Sequence, residues 1–176
     1  MAASYHIRYL KREAIDPVRW DACITNAVNP IIYGLHFYLD YMARGQWDAL
    51  VLGDYEAVMP LTWRRKYGIS YLYQPPFTQQ TGIFTAETPS AELIDAFLQN
   101  VRQYFRFAEI FLNYGNPHPA HTPHANYILR LDAPYTQMAA QYKKDLQRNL
   151  KLAARSPLHY TADLNLATAL EGYRRE

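Results

Sequence analysis

The clearest pattern of apolar and polar positions lies between Trp47 and Phe84. Trp47 to Leu52 is a short apolar run closed by Gly53-Asp54, a turn dipeptide. Tyr55 to Trp63 forms a second run, and Arg64-Arg65-Lys66 followed by Tyr67-Gly68 reads as the next turn. Ile69 to Tyr73 is a third run, stopped by Gln74-Pro75-Pro76. Three β-rich runs joined by tight turns predict an antiparallel meander. The Pro-Pro pair removes two backbone donors and fixes two φ angles, so regular pairing must end there. The polar stretch Phe77-Thr78-Gln79-Gln80-Thr81-Gly82 that follows is placed where sites usually sit, in a loop at the end of a buried strand.

The flanking segments add helices and further strands. Tyr5 to Leu10 alternates and predicts a first strand. Asp16 is placed to cap a helix that begins with Pro17 and runs to about Ala27, its apolar face made by Trp20, Cys23, Ile24 and Ala27. Ile31 to Tyr33 is too short to assign, and Leu35 to Ala43 reads as a second helix. Thr88-Pro89-Ser90 starts a third, through about Tyr104, with Leu93, Phe97 and Val101 repeating every four residues. Ala108 to Leu112 and Asn126 to Leu131 read as strands around a proline- and histidine-rich loop. Beyond Asp132-Ala133-Pro134 come a long helix from about Thr136 to Arg155, a short strand from His159 to Ala162, and a helix from Leu164 to Arg175. The expected class is α/β (α+β), with a mixed, largely antiparallel sheet flanked by helices. The expected organisation is one domain over 1–132 and the start of a second, cut short, over 133–176.

Composition narrows this further. Apolar residues make up 49% of the chain, which allows a sizeable core, and a net charge of +2 is too small for a dedicated nucleic-acid binder. Any basic character must therefore be local: Arg64-Arg65-Lys66 in the meander, and Lys144, Arg148, Lys151 and Arg155 along one side of the long helix. A solvated charged face is the plainer reading of each, since a few cations on an exposed surface are common. One cysteine, Cys23, excludes an internal disulfide and fits a reducing compartment, while the amino terminus lacks the apolar core of a signal peptide. No apolar run approaches the ~18 residues of a membrane span. These features place the expected protein in the cytoplasm. Tyrosine is over-represented, with 16 residues against 7 phenylalanines, as in half-buried cores or in grooves for polar, extended ligands. His118, His121 and His124 recur every third residue without accompanying cysteines or carboxylates, so a solvated loop is expected and no metal site. For a general base, only Tyr73 and His36 present themselves.

Several of these residues together resemble a family. Trp20, Tyr38-Leu39-Asp40, Trp47-x-Ala49-Leu50-Val51, Val58-Met59-Pro60-Leu61 and Gln74-Pro75-x-Phe77-x-Gln79-Gln80-x-Gly82-Ile83-Phe84 are similar to the pattern of bacterial FemAB-type proteins, members of the GNAT-like acyl-CoA N-acyltransferase superfamily. Tyr142-x-x-x-Leu146-x-Arg148-Asn149-Leu150-x-x-Ala153 resembles the opening of the second half of such proteins. The resemblance implies two GNAT-like domains in tandem and transfer of an acyl or aminoacyl group from an activated ester or thioester to an amine. The implied donors are aminoacyl-tRNA or, in some relatives, acetyl-CoA, and the implied acceptor is a small molecule, a peptide or a cell-wall precursor. Catalysis would rest on alignment and on a donor placed at the developing oxyanion. On this basis Tyr73 would relay a proton, Lys66, Gln74, Gln79 and Gln80 would line the substrate groove, and Arg148 would contact phosphate. Gly82 would belong to the coenzyme-binding loop, where backbone amides at a helix start hold a pyrophosphate. The chain departs from that loop pattern at Phe84, a bulky residue where a glycine or alanine would be expected. The rival expectation is a non-catalytic GNAT-like binding module whose tyrosine-rich groove takes a polar polymer or peptide. A third is an RNA-binding surface on the Lys144 to Arg155 face.

Overall fold

A computed structural model describes residues 5–128 and 131–157, together with Asn165 and Ala167. The chain divides into two compact units, Met1–Asn126 and Tyr127–Glu176. The boundary expected near Ala133 thus falls inside the second unit. The fold is mixed α and β. The first unit holds a five-stranded antiparallel sheet and three α-helices: β1 (Ile7–Leu10), α1 (Pro17–Thr25), α2 (His36–Met42), β2 (Trp47–Leu52), β3 (Ala57–Lys66), β4 (Ile69–Leu72), β5 (Phe84–Thr85) and α3 (Ala91–Tyr104). The second holds α4 (Tyr135–Ala140) and α5 (Lys144–Ala153). No described helix is long and apolar enough to cross a membrane.

The local chemistry of the helix starts matches their sequence. The Asp16 carboxylate accepts from the Val18 and Arg19 amides at the start of α1, with Pro17 where its missing N–H costs nothing. The Ser90 hydroxyl accepts from the Leu93 amide at the start of α3. The strands alternate, and each face of the sheet buries one set of side chains. Trp47, Ala49, Val51, Val58 and Phe84 pack under α1 and α2 with Trp20, Ile24 and Leu39. Leu50, Met59, Leu61, Leu72 and Ile83 pack against Ile94, Phe97 and Val101 of α3. Trp20 and Trp47 are tilted rings 5.1 Å apart, and Trp20 Nε1 donates to the Gly34 carbonyl at 2.7 Å, so the largest side chain of α1 is both buried and satisfied.

Several expectations need correction. The basic triplet is not a turn: Arg64, Arg65 and Lys66 extend β3, and the reversal is made by Tyr67 and Gly68 alone, both at positive φ (51° and 80°). Two residues in that conformation suit the twist of a hairpin better than a longer turn does. The segment Ala108 to Leu112 forms no strand. It meets β4 through one isolated parallel bridge, Leu72 to Ala108, and the loop after β4 through another, Thr81 to Leu112. The long helix expected from Thr136 to Arg155 is two helices, because the backbone turns extended at Lys143 (ψ 148°) and Gln147 Nε2 reaches back to the Tyr142 carbonyl. Residues 126–128 and 131 are not strand, while 129–130 lie outside the described residues. So do the strand expected over His159 to Ala162 and nearly all of the final helix.

One ion pair ties the two ends of the α1/α2 layer to the sheet. Arg12 grips Asp40 with two bonds of 2.7 Å, and Trp47 Nε1 donates to the same carboxylate at 2.7 Å. The Arg12 guanidinium beside Asp40 lowers its pKa below the ordinary carboxylate value, and the Trp47 N–H adds to this. A carboxylate with a lowered folded pKa stabilises the fold at pH above its unfolded value and loses that contribution as pH falls through the folded one. The urea midpoint should therefore drop as pH is lowered below about 4. In Asp40→Asn that part of the acid dependence should be smaller. Equal slopes in both proteins would contradict the assignment.

Candidate functional site

The site is set by a fault in the sheet. Even-numbered residues of β3 turn their backbone groups toward β4 and β5: Thr62 O accepts from Tyr73 N at 3.1 Å, and Val58 pairs with Phe84. Pro60 lies on this edge between them and has no N–H to offer. The partner strand is interrupted at that level, and residues 74–83 loop away from the sheet before pairing resumes at β5. Pro75-Pro76 therefore coincides with the place where β3 cannot use a partner fully.

The loop is held by its own side chains. Gln74 Oε1 accepts from the Phe111 amide at 3.3 Å while Gln74 Nε2 donates to the Thr78 carbonyl at 3.1 Å. Gln80 Oε1 accepts from the Tyr114 amide at 2.9 Å. Both glutamines thus stand in for missing ladder bonds between this loop and residues 107–114. Behind them, three asparagines converge on one carbonyl. Ile83 O accepts from Nδ2 of Asn116 at 2.8 Å, of Asn29 at 3.2 Å and of Asn113 at 3.3 Å, and Ile83 N donates to Asn116 Oδ1 at 2.7 Å. Asn29 also donates to Asn113 Oδ1. All three are buried, so the knot fixes loop 113–116 against 81–84 in a low-dielectric setting where such bonds matter most.

Gly82 belongs to this knot. Its φ is +102°, and a Cβ built there would lie 2.4 Å from Asn116 Oδ1 and 3.1 Å from Leu112. The open face of the glycine is therefore occupied by the protein itself. It also lies ahead of β5 rather than at the start of α3. The amino end of α3 is already served by the Ser90 cap, and Glu92 sits in its first turn. The Glu92 carboxyl is held below its ordinary pKa by its own backbone N–H and by Ser90. An incoming phosphate would meet that negative charge where the helix dipole would otherwise attract it. Neither half of a pyrophosphate cradle is free.

The remaining predicted residues separate into two places. Tyr73 and Lys66 lie with Arg64 and Tyr71 on the same side of the β3–β4 hairpin as α2. The Arg64 guanidinium is 4.4 Å from the Tyr73 ring, Tyr71 and Tyr73 meet edge to face, and Lys66 Nζ is 5.3 Å from the Tyr67 ring. Gln79 is exposed at the top of the loop. Nearby, Tyr38 of α2 donates to the Phe77 carbonyl at 2.6 Å and stands against Tyr33. Arg148 is exposed on α5 of the second unit, where it lies apart in sequence from every other candidate.

Two residues that sequence reasoning left aside stand out. Tyr67 and Phe77 are 92% and 85% exposed, and both hold left-handed backbone, at φ 51° and 59°. A non-glycine residue there costs on the order of 1 kcal/mol or more, and such strain collects at binding surfaces. The dipeptide Tyr67-Gly68 was a visible signal, since asparagine or glycine would suit the first position better. His36, the other candidate base, receives a two-point contact from Asp21: its amide at 2.9 Å and Nδ1 at 2.6 Å. Because Asp21 satisfies the first amide of α2, this pair acts as a tertiary helix cap. Cys23 is half-buried, and burial pushes its thiol up to about 11, which keeps it protonated and unreactive near neutral pH. His118 and His121 stack, with His118 Nε2 3.3 Å from Asp95, whereas His124 packs on Phe111. No group of three or more potential ligands among the described residues is arranged to hold a metal.

Gly82→Ala should destabilise the first unit by about 2–4 kcal/mol, combining backbone strain with displacement of Asn116. A urea titration reads this directly. A loss below ~0.5 kcal/mol would mean the glycine face is open. In Gln80→Ala, amide exchange at Tyr114 should accelerate while exchange at Ile83 is unchanged.

No protein-family model, no curated protein and no solved structure matches this chain.

Proposed function

We propose that the chain is a GNAT-like domain of the FemAB type that works as a non-catalytic binding module for a polar polymer or peptide. The element order of the first unit, β-α-α-β-β-β-β-α followed by a segment running parallel to the sheet edge, supports the kinship. The observation that carries the function is the filled cradle. Asn116 occupies the face of Gly82, and Ser90 with Glu92 occupies the amino end of α3, so the coenzyme chemistry expected of a coenzyme A-dependent N-acyltransferase has no seat among the described residues.

What the first unit offers instead is surface. Tyr73, Tyr71 and Arg64 form a half-exposed aromatic and cationic strip along β3 and β4, continued by Lys66 and by the exposed Phe77 loop. Tyrosine supplies a flat apolar face and a hydroxyl together, which suits polar extended ligands at low conformational cost. A relay role for Tyr73 would require a donor other than coenzyme A, presented at this strip.

A thermal-shift titration with acetyl-CoA separates the readings. A site with a Kd of ~10 μM would add about 2.7 kcal/mol at ~1 mM ligand, a rise of roughly 5–10 °C for a chain of this size. The binding-module reading expects no dose-dependent rise. A clear rise would restore the coenzyme A enzyme. In that event Tyr73→Phe, assayed for acyl transfer, decides whether Tyr73 relays the proton.

A further inference from the structure

We infer that the tip of the β3–β4 hairpin is a docking site for an acidic protein segment. The inference deepens the binding-module reading, and rests on it, by naming the partner's chemistry. From Ala57 to Ala86 the chain contains no aspartate or glutamate, yet it carries Arg64, Arg65 and Lys66 in succession. None of these three makes an ion pair among the described residues. Arg65 donates through Nε to the Gly68 carbonyl at 3.1 Å, which braces the turn and leaves its charge outward. The hairpin therefore projects three uncompensated cations.

The same tip projects apolar surface. Tyr67 is 92% exposed in a strained conformation, and Ile69, paired with Lys66 across the hairpin, is 47% exposed. Arginine and tyrosine are the residues that most often anchor protein interfaces, with charge complementarity selecting the partner. Ile69 decides between macromolecules. An aliphatic side chain has no use against a phosphate backbone, whereas it would be covered by an apolar residue placed among carboxylates. Backbone pairing can contribute too. Leu72 spends its outward groups on residues 107–109, while Ser70, whose backbone faces the same way, forms no backbone bond on that side among the described residues.

The experiment uses the whole chain and three fluorescent probes: a peptide alternating Glu and Leu, an alternating Lys and Leu control, and oligo-dT of matching charge. The acidic peptide should bind, the basic one should not, and binding should weaken at least tenfold in Arg64→Glu/Arg65→Glu/Lys66→Glu. Tyr67→Asn supplies the second variant. It relieves the left-handed strain, so its melting temperature should hold or rise, while affinity falls roughly tenfold, as for a buried anchor. Failure of the acidic peptide to bind would overturn the inference, as would binding unaffected by Tyr67→Asn. Oligo-dT binding tighter than the peptide, with a steep salt dependence, would overturn it in favour of a nucleic acid. These outcomes are independent of the acetyl-CoA titration. Loss of the docking site with no coenzyme binding would leave the broader reading standing.

Discussion

A proline in the middle of a ten-residue strand is the constraint from which the rest of the first unit follows. Pro60 offers its partner edge no N–H, so β3 can be flanked by a continuous strand on one side only. On the β2 side the ladder runs unbroken from Trp47 opposite Thr62 to Leu52 opposite Ala57. On the other side pairing is divided between β4, near the far end, and β5, near the start. Residues between them form no ladder with β3 and must be held in other ways. Two glutamine side chains, the backbone bonds of Thr81 to Phe111 and Asn113, and a buried asparagine knot take over that task.

That engagement is what supports the proposed reading. Glutamines in a loop at the end of a strand look like substrate ligands until their partners are known. Here Gln74 and Gln80 each accept from a backbone amide of residues 107–114, so both side chains are engaged within the chain. Gly82 looks like part of a phosphate loop until its neighbour is seen to be Asn116. The hairpin differs: Arg64, Arg65 and Lys66 make no ion pair among the described residues, and Tyr67 stands in the open.

Much of the scaffold was legible in the sequence, because helix caps and strand periods are local signals. Asp16-Pro17 located one helix start to within a residue and Thr88-Pro89-Ser90 led directly into another, and the apolar run from Trp47 to Leu52 marked a strand with the same ends that the fold gives it. The extent of β3 was hidden because a run of three cations reads as a turn, yet exposed strand ends beyond the helical layer tolerate charge well. The break of the long helix at Lys143 carries no glycine or proline and so left no mark. The site was less legible still. The knot unites Asn29 with Asn113 and Asn116, from two stretches far apart in the chain, on the Ile83 carbonyl, which has no sequence signature. Nothing in a string of letters distinguishes a glutamine that binds a ligand from one that binds the next loop.

The central claim is that the chain's own side chains occupy the place where a coenzyme would sit. Amide resonances of the isotopically labelled protein, followed by NMR as acetyl-CoA is added, test it residue by residue. The account predicts that the Thr81, Gly82, Ile83 and Leu93 amides stay in place throughout, with Ile83 among the slowest to exchange with solvent. Saturable shifts confined to Gly82, Ile83 and Leu93 would show that the knot opens to admit the ligand, and the account would be wrong.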